Sequence, residues 1–305
     1  MSRTTANILL LFAGLLWGGG FIAQQAAMDS IGPFLFIALR FALAALAILP
    51  LAIWEAKRST SNNENSWGLE RKDVLGIIAV SLIFFVAMSL QQVGLLATTV
   101  TNAGMLTGLY VVMVPIIVVI LFAERQPALV WPCAAAATFG IWLLGGGGFS
   151  RFTWGDWVVL IGALFAALHL IAVGRVATSS GRPIALAVSQ FALGAVISTG
   201  AFMIARWFDW QFEPAVSSET LYQALPEILY AALVAGAAAF TLMAVCQQFT
   251  PAPDAAILLS SEALFAALGG AIFLNERLDI LGYLGCFILF ISIAVVSFSS
   301  AKDEN

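Results

Sequence analysis

Ten apolar stretches, each about 20 residues long, run the length of this chain. They lie at roughly 6–27, 33–54, 73–94, 100–122, 128–147, 154–174, 183–205, 226–246, 254–273 and 279–299. Each matches the hydrocarbon thickness of a bilayer when helical. Lipid offers nothing for backbone N–H and C=O groups to bond, so such open segments cross it only as helices. A water-facing shell for them would need about a quarter of the residues charged. This chain has 10% charged and 61% hydrophobic residues. The expected class is an all-α integral membrane protein with ten transmembrane helices. The first run continues to about Ala27 without a convincing small-residue cleavage site, so it reads as a retained helix rather than a signal peptide.

Connections are short, apart from polar loops at 55–72 and 206–225. Lysine and arginine set the expected direction. With the N-terminus in the cytoplasm and ten crossings, Arg3, Lys57, Arg58, Arg71, Lys72, Arg125, Arg175, Arg182 and Lys302 are inside. Only Arg151, Arg206 and Arg277 are then outside, which satisfies the positive-inside rule. Both termini are therefore expected in the cytoplasm, with loop 55–72 cytoplasmic and loop 206–225 outside, Trp207 and Trp210 at the headgroups.

The two halves repeat each other. "GLLWGGGFIAQQAA" (14–27) aligns with "GALFAALHLIAVGR" (162–175), and "PFLFIALRFALAAL" (33–46) with "PIALAVSQFALGAV" (183–196). "SLQQVG" (89–94) aligns with "VCQQFT" (245–250), and "FAERQPALVW" (122–131) with "LNERLDILGY" (274–283). The repeats occupy 6–147 and 154–299. Five helices in each is an odd number, so the second repeat enters the membrane inverted. Inverted repeats are a signature of secondary transporters.

The segments "LLWGGGFIAQQA", "PFLFIALRFALAAL", "TNAGMLTGLYVVMVPIIVVILFAERQ" and "DAAILLSSEALFAALGGAIFLNERL" carry a resemblance, through their order, spacing and duplication. The chain resembles the drug/metabolite transporter superfamily in its EamA-type ten-helix form. That implies a multi-pass carrier of the cell's inner (plasma) membrane, usually an exporter of amino acids, related metabolites or drugs. It also implies a cavity surrounded by helices 1, 3, 4, 6, 8 and 9, with 2, 5, 7 and 10 outside them. The family often has Glu-Pro in helix 9. Here Ala263 follows Glu262, so the break that proline would impose is not expected.

Polar side chains inside a membrane are costly and mark candidate function. Glu262, near the middle of helix 9, is either a substrate or proton site or a neutral carboxyl fixing packing. Tyr110 occupies the matching place in helix 4. Gln91–Gln92 and Gln247–Gln248 are repeat mates; either residue of a pair could face the cavity or bond a neighbouring helix. Trp17, Phe21 and Gln24 share a face of helix 1 at i, i+4 and i+7. His169 aligns with Phe21 and is the chain's single histidine. Histidine exchanges protons near neutral pH, so Glu262 and His169 are the candidates for proton coupling. Trp17, Phe21, Gln24, Gln91, Tyr110, His169, Gln247 and Glu262 together form the expected substrate cavity. Asn102 and Asp254 align at helix starts, where N-capping is the simpler role.

Two further sets are expected to be structural. Arg40, about seven residues into helix 2 with Gln190 as its repeat mate, reads as an anchor snorkelling to a helix end or a lipid phosphate. Glu124–Arg125 and Glu276–Arg277 lie at opposite faces as gate or interfacial salt bridges.

No "GxxxxGK[ST]" loop is present, so ATP hydrolysis is not expected. With one histidine, no "HExxH" and no acid pair within a span, neither an intramembrane enzyme nor a metal site is expected, and no cofactor or catalytic residue is assigned. Cys133, Cys246 and Cys286 read as small hydrophobes. A net charge of −4 argues against nucleic acid. The expected partners are the lipid bilayer and a small-molecule substrate. A homodimer is one option for an open oligomeric state. The alternative to a transporter is a sensor or assembly protein using the same fold.

Overall fold

The computed structural model describes residues 1–60, 70–148, 152–273 and 277–302. Every regular element among them is helical. Apart from the short helix Ser218–Gln223 within segment 206–225, these are in chain order α1 (Arg3–Ala27), α2 (Pro33–Arg58), α3 (Arg71–Gly94), α4 (Asn102–Phe122), α5 (Val130–Leu144), α6 (Trp154–Ser180), α7 (Pro183–Trp207) and α8 (Leu225–Cys246). They are followed by α9, in two parts (Ala252–Leu259 and Ser261–Phe273), and α10 (Ile280–Ser299). Eight of these helices, all but α5 and α9, are long and apolar enough to cross a membrane. Residues 61–69 of loop 55–72 and the repeat junction at 149–151 lie outside the described residues.

Local chemistry sets the helix starts. Ser2 Oγ accepts from Thr5 N at 3.1 Å, and Thr153 and Asp156 form a capping box at α6. Proline opens α2 and α7, where its missing N–H costs nothing. Asn102 and Asp254 are not the caps expected of them. Thr99 Oγ1 accepts from Asn102 N at 3.2 Å, and Asp254, within the first turn of α9, is ion-paired with Arg3.

The principal helix contacts are α2 with α7, α5 with α10, α3 with α6, and α1 with α8 and α9. Moving each number by five maps α3·α6 onto α1·α8 and α1·α9 onto α4·α6, while α2·α7 and α5·α10 map onto themselves. The packing thus follows the sequence repeat. Glycine permits close approach of α5 and α10. A Cβ on Gly140 of α5 would lie 2.8 Å from Gly285 O of α10, and one on Gly285 would lie 2.5 Å from Gly140 O. In lipid, where apolar burial drives little, such close contact is what holds helices together.

α2 and α7 are clipped at both ends. Glu213, beyond the C-terminus of α7, accepts from Phe34 N (3.0 Å) and Leu35 N (3.2 Å) at the start of α2. Glu55, late in α2, accepts from Ile184 N (3.0 Å) and Ala185 N (2.8 Å) at the start of α7. The two helices therefore run antiparallel, each first turn held by a carboxylate from the other repeat. Burial raises the Glu213 carboxyl above its ordinary 4.5, against its two backbone bonds and the Arg206 charge. An acid raised on folding gives stability that is complete below its unfolded pKa and declines as pH rises through the folded one. The unfolding temperature of the purified protein should fall over that window. Glu213→Gln should flatten this component in a thermal scan across pH.

Only 33–50% of each spanning window is buried inside the protein. The rest is an outward apolar belt that includes Leu46, Ile120, Val196, Met203, Phe287 and Phe298. Such a surface suits hydrocarbon. Trp207 is exposed where a headgroup layer is expected, but Trp210 packs on Phe34, with ring centroids 5.7 Å apart.

Candidate functional site

Four helices lose regularity around the centre of the bundle. α1 is interrupted at Gly19, α4 at Leu109 and α9 at Ser260, while α8 is wound as a π-helix over Tyr230–Ala238. The break in α9 occurs without the proline: Ser260 Oγ donates to Ile257 O at 2.6 Å, and Ala263 N reaches Ser260 O at 3.1 Å in a tightened turn. Irregular backbone at membrane depth is tolerated where protein or a cavity satisfies it. Here α1 and α8 serve each other. Tyr230 OH donates to Leu16 O at 2.9 Å, and Trp17 Nε1 donates to Ala235 O at 2.8 Å.

Between these irregular segments lies a cavity of about 90 Å³. Trp17, Phe21, Gln24, Gln91, Tyr110, His169 and Glu262 all line it. Tyr110 OH donates to Glu262 Oε1 at 3.4 Å, joining α4 to α9. Gln91 Nε2 donates to Thr107 Oγ1 at 3.2 Å. Gln24 Nε2 donates to Gly20 O at 3.2 Å, while its buried Oε1 has no donor among the described residues. His169 Nε2 lies 2.8 Å from Gln190 Oε1. Gln190, fully buried, stands behind the histidine rather than at a helix end. Phe84 and Phe240 flank the imidazole, with centroids 4.9 and 6.1 Å away.

The second glutamine of each pair bonds backbone. Gln92 Nε2 donates to Gln24 O at 3.3 Å, and its repeat mate Gln248 Nε2 donates to Ala177 O at 2.7 Å. Gln247 does not join the central cavity. It donates to Leu170 O at 2.9 Å and lines a separate cleft of about 690 Å³.

Helices 2 and 7 are not peripheral to the cavity, contrary to what the resemblance implies: Arg40 and Phe41 of α2 and Phe191 of α7 line it. Gly20, Ala231, Ala235 and Gly236, all small, line the same cavity, and α2 packs close on α8 there: a Cβ on Gly236 would lie 3.4 Å from Ala44 Cβ. Arg40 is 6% exposed and does not snorkel to the surface. Periodicity within α2 says nothing about its neighbours. The usable signal was the small-residue stripe of α8.

The EamA-like transporter family matches the sequence twice, over residues 4–146 and 153–298. The chain belongs to that family. An Archaeoglobus fulgidus protein described as an uncharacterized transporter is 29% identical over 297 residues, covering 97% of this chain and 87% of the relative. A solved crystal structure superposes with a TM-score of 0.76 over 100% of both chains at 17% identity, which shows a shared fold. This EamA-like transporter is accordingly a multi-pass membrane protein that handles a small-molecule substrate within a lipid environment.

Two clefts flank the transporter's cavity. The 690 Å³ cleft lies between the ends of α4, α6 and α8 and the start of α9. The other, about 420 Å³, lies at the opposite ends of α1 and α4 beside the second part of α9, and Asp29 is in its lining. Phe21 lines both this cleft and the central cavity. At the first cleft Glu124 pairs with Arg175 at 2.8 Å, across the repeats, rather than with Arg125. The Arg175 guanidinium also sits 3.6 Å from the Phe122 ring centroid. Arg125 and Arg277 are exposed. Glu276 lies outside the described residues.

Proposed function

We propose that this protein is a secondary transporter of the inner membrane that exports small organic solutes by alternating access. In this reading the chain crosses ten times with both termini cytoplasmic, the short α5 and the two-part α9 completing the count. The repeats are inverted, and one rocks against the other. The reading rests on the central cavity, flanked at opposite ends of the helices by two larger clefts. Its polar lining of Gln24, Gln91, Tyr110, His169 and Glu262 would bind the solute, and its aromatic walls would take an apolar part. Its volume is well under the about 300–1,000 Å³ of pockets for drug-sized ligands, which favours amino acids and small metabolites over drugs. The test is counterflow in proteoliposomes, each preloaded with one unlabelled amino acid or small organic acid. Uptake of the labelled solute above that of protein-free vesicles is expected for at least one, and none for any would refute the proposal.

The Glu124–Arg175 pair would act as a latch on its cleft. Half-exposed pairs contribute under about 1 kcal/mol, a factor of about five. Glu124→Gln should leave the unfolding temperature nearly unchanged and alter the exchange rate by up to about fivefold, read in the same counterflow assay.

A further inference from the structure

We propose that Arg40 is the anion receptor of the central cavity and that the carried solute bears a carboxylate on an apolar body. This rests on the transporter reading above. Arg40 is a buried cation lining the cavity, with Phe36 and Phe41 ring centroids 5.2 and 5.1 Å from its guanidinium carbon. Its Nε and Nη2 are buried and have no acceptor among the described residues. Aromatic faces attract a cation but leave its N–H groups unbonded. A guanidinium taken from water without partners carries a large desolvation cost.

The other arginines show what anchoring looks like in this protein, and the buried Arg182 sits near the Glu55 carboxylate. Arg206 donates to Glu213 O at 3.0 Å, Arg175 to Glu124 at 2.8 Å, and Arg3 pairs with Asp254. Arg40 alone of these five has two buried donors left over on a cavity wall. A lipid phosphate does not reach a residue that is 6% exposed. Glu262 lines the same cavity but does not pair with Arg40; its carboxylate meets Tyr110. The missing partner is thus an anion that enters and leaves, which is what a carrier requires. The guanidinium fork matches a carboxylate with two parallel N–H···O bonds, a geometry that a spherical anion cannot use. Trp17, Phe21 and Phe240 supply the apolar walls.

The test uses the full-length protein in detergent, titrated with acetate, butyrate, phenylacetate and phenylalanine, with phenylacetamide and phenethylamine as uncharged-group and cationic controls, and with chloride. Binding is read by thermal unfolding and tryptophan fluorescence. At least one carboxylate is expected to bind at least tenfold more tightly than its amide or amine counterpart. Arg40→Gln should erase that preference, and Arg40→Lys should keep part of it, because lysine supplies charge without the fork. Equal binding of acid and amide, no binding of any carboxylate, protection by chloride to the same extent, or unaltered preference in Arg40→Gln would each overturn the assignment. Should Arg40→Gln not fold, the wild-type acid–amide comparison and Arg40→Lys still decide. Carboxylates that bind but are never carried would refute the transporter reading and leave Arg40 as an anion receptor. Equal carriage of acids and amides would do the reverse.

Discussion

Glu262→Gln is expected to abolish uphill transport while leaving downhill exchange intact. Glu262 is a buried acid on the second part of α9, next to the break at Ser260 and within reach of Tyr110 OH at 3.4 Å. If each solute exchanges for one proton, a pH difference of about one unit supports at most about a tenfold concentration ratio, since 1.4 kcal/mol corresponds to tenfold. Glutamine keeps the size and the contact to Tyr110 but carries no exchangeable acid. The steady-state ratio should therefore fall from a pH-dependent value approaching ten to one, at any imposed gradient. His169→Gln should retain the ratio, because His169 is engaged with Gln190 at 2.8 Å. Labelled solute in proteoliposomes with imposed pH gradients separates the two residues. A Glu262→Gln protein that accumulates solute like wild type would remove the proton role from this residue.

Gly140→Leu is expected to force α5 away from α10 and to destabilise the protein severely. Any side chain at this position must displace backbone: its Cβ would lie 2.8 Å from Gly285 O and 3.0 Å from Leu289 N. Backbone atoms of a packed helix cannot swing away as a flexible side chain can. Separating α5 from α10 would then forfeit the contacts on either side of the glycine pair, at a cost of about 3 kcal/mol or more. The expected readout is loss of the monodisperse species in size-exclusion chromatography after extraction. Gly146→Leu serves as the contrast, because a Cβ there meets nothing within 4 Å, although its φ of +94° adds local strain. Gly140→Leu extracted at wild-type yield, with an unchanged unfolding temperature, would show that the pair is not a tight contact.

Length and hydropathy carried most of the fold. Runs of about 20 apolar residues have one solution in lipid, and the duplicated motifs marked out two repeats of five helices. The breaks were harder to read. Ser260 interrupts α9 through its own side chain and a tightened turn, without the proline that would have marked it. The π-helical stretch of α8 is mostly alanine, which signals nothing about winding until Trp17 of α1 bonds Ala235 O and Tyr230, the first residue of the stretch, bonds Leu16 O. Inside the cavity, polar residues at membrane depth stood out because polarity there is costly. Gln247 and Arg40 went the other way for a geometric reason. Adjacent glutamines point about 100° apart, so sequence could not tell cavity from cleft. Whether a side chain on α2 reaches the centre depends on small residues in α8, nearly 200 positions downstream in the chain.

Accessibility of the central cavity from both membrane faces is the most direct test of the account. Cys133, Cys246 and Cys286 are replaced by alanine, and Ala166, on the cavity wall, by cysteine. A membrane-impermeant thiol reagent is then applied to oriented vesicles from one side or the other. Alternating access predicts labelling from each side separately, with trapping of one state by a first reagent blocking the second side. A cysteine that reacts from one face only, or that admits reagent from both faces at once as a pore would, contradicts it.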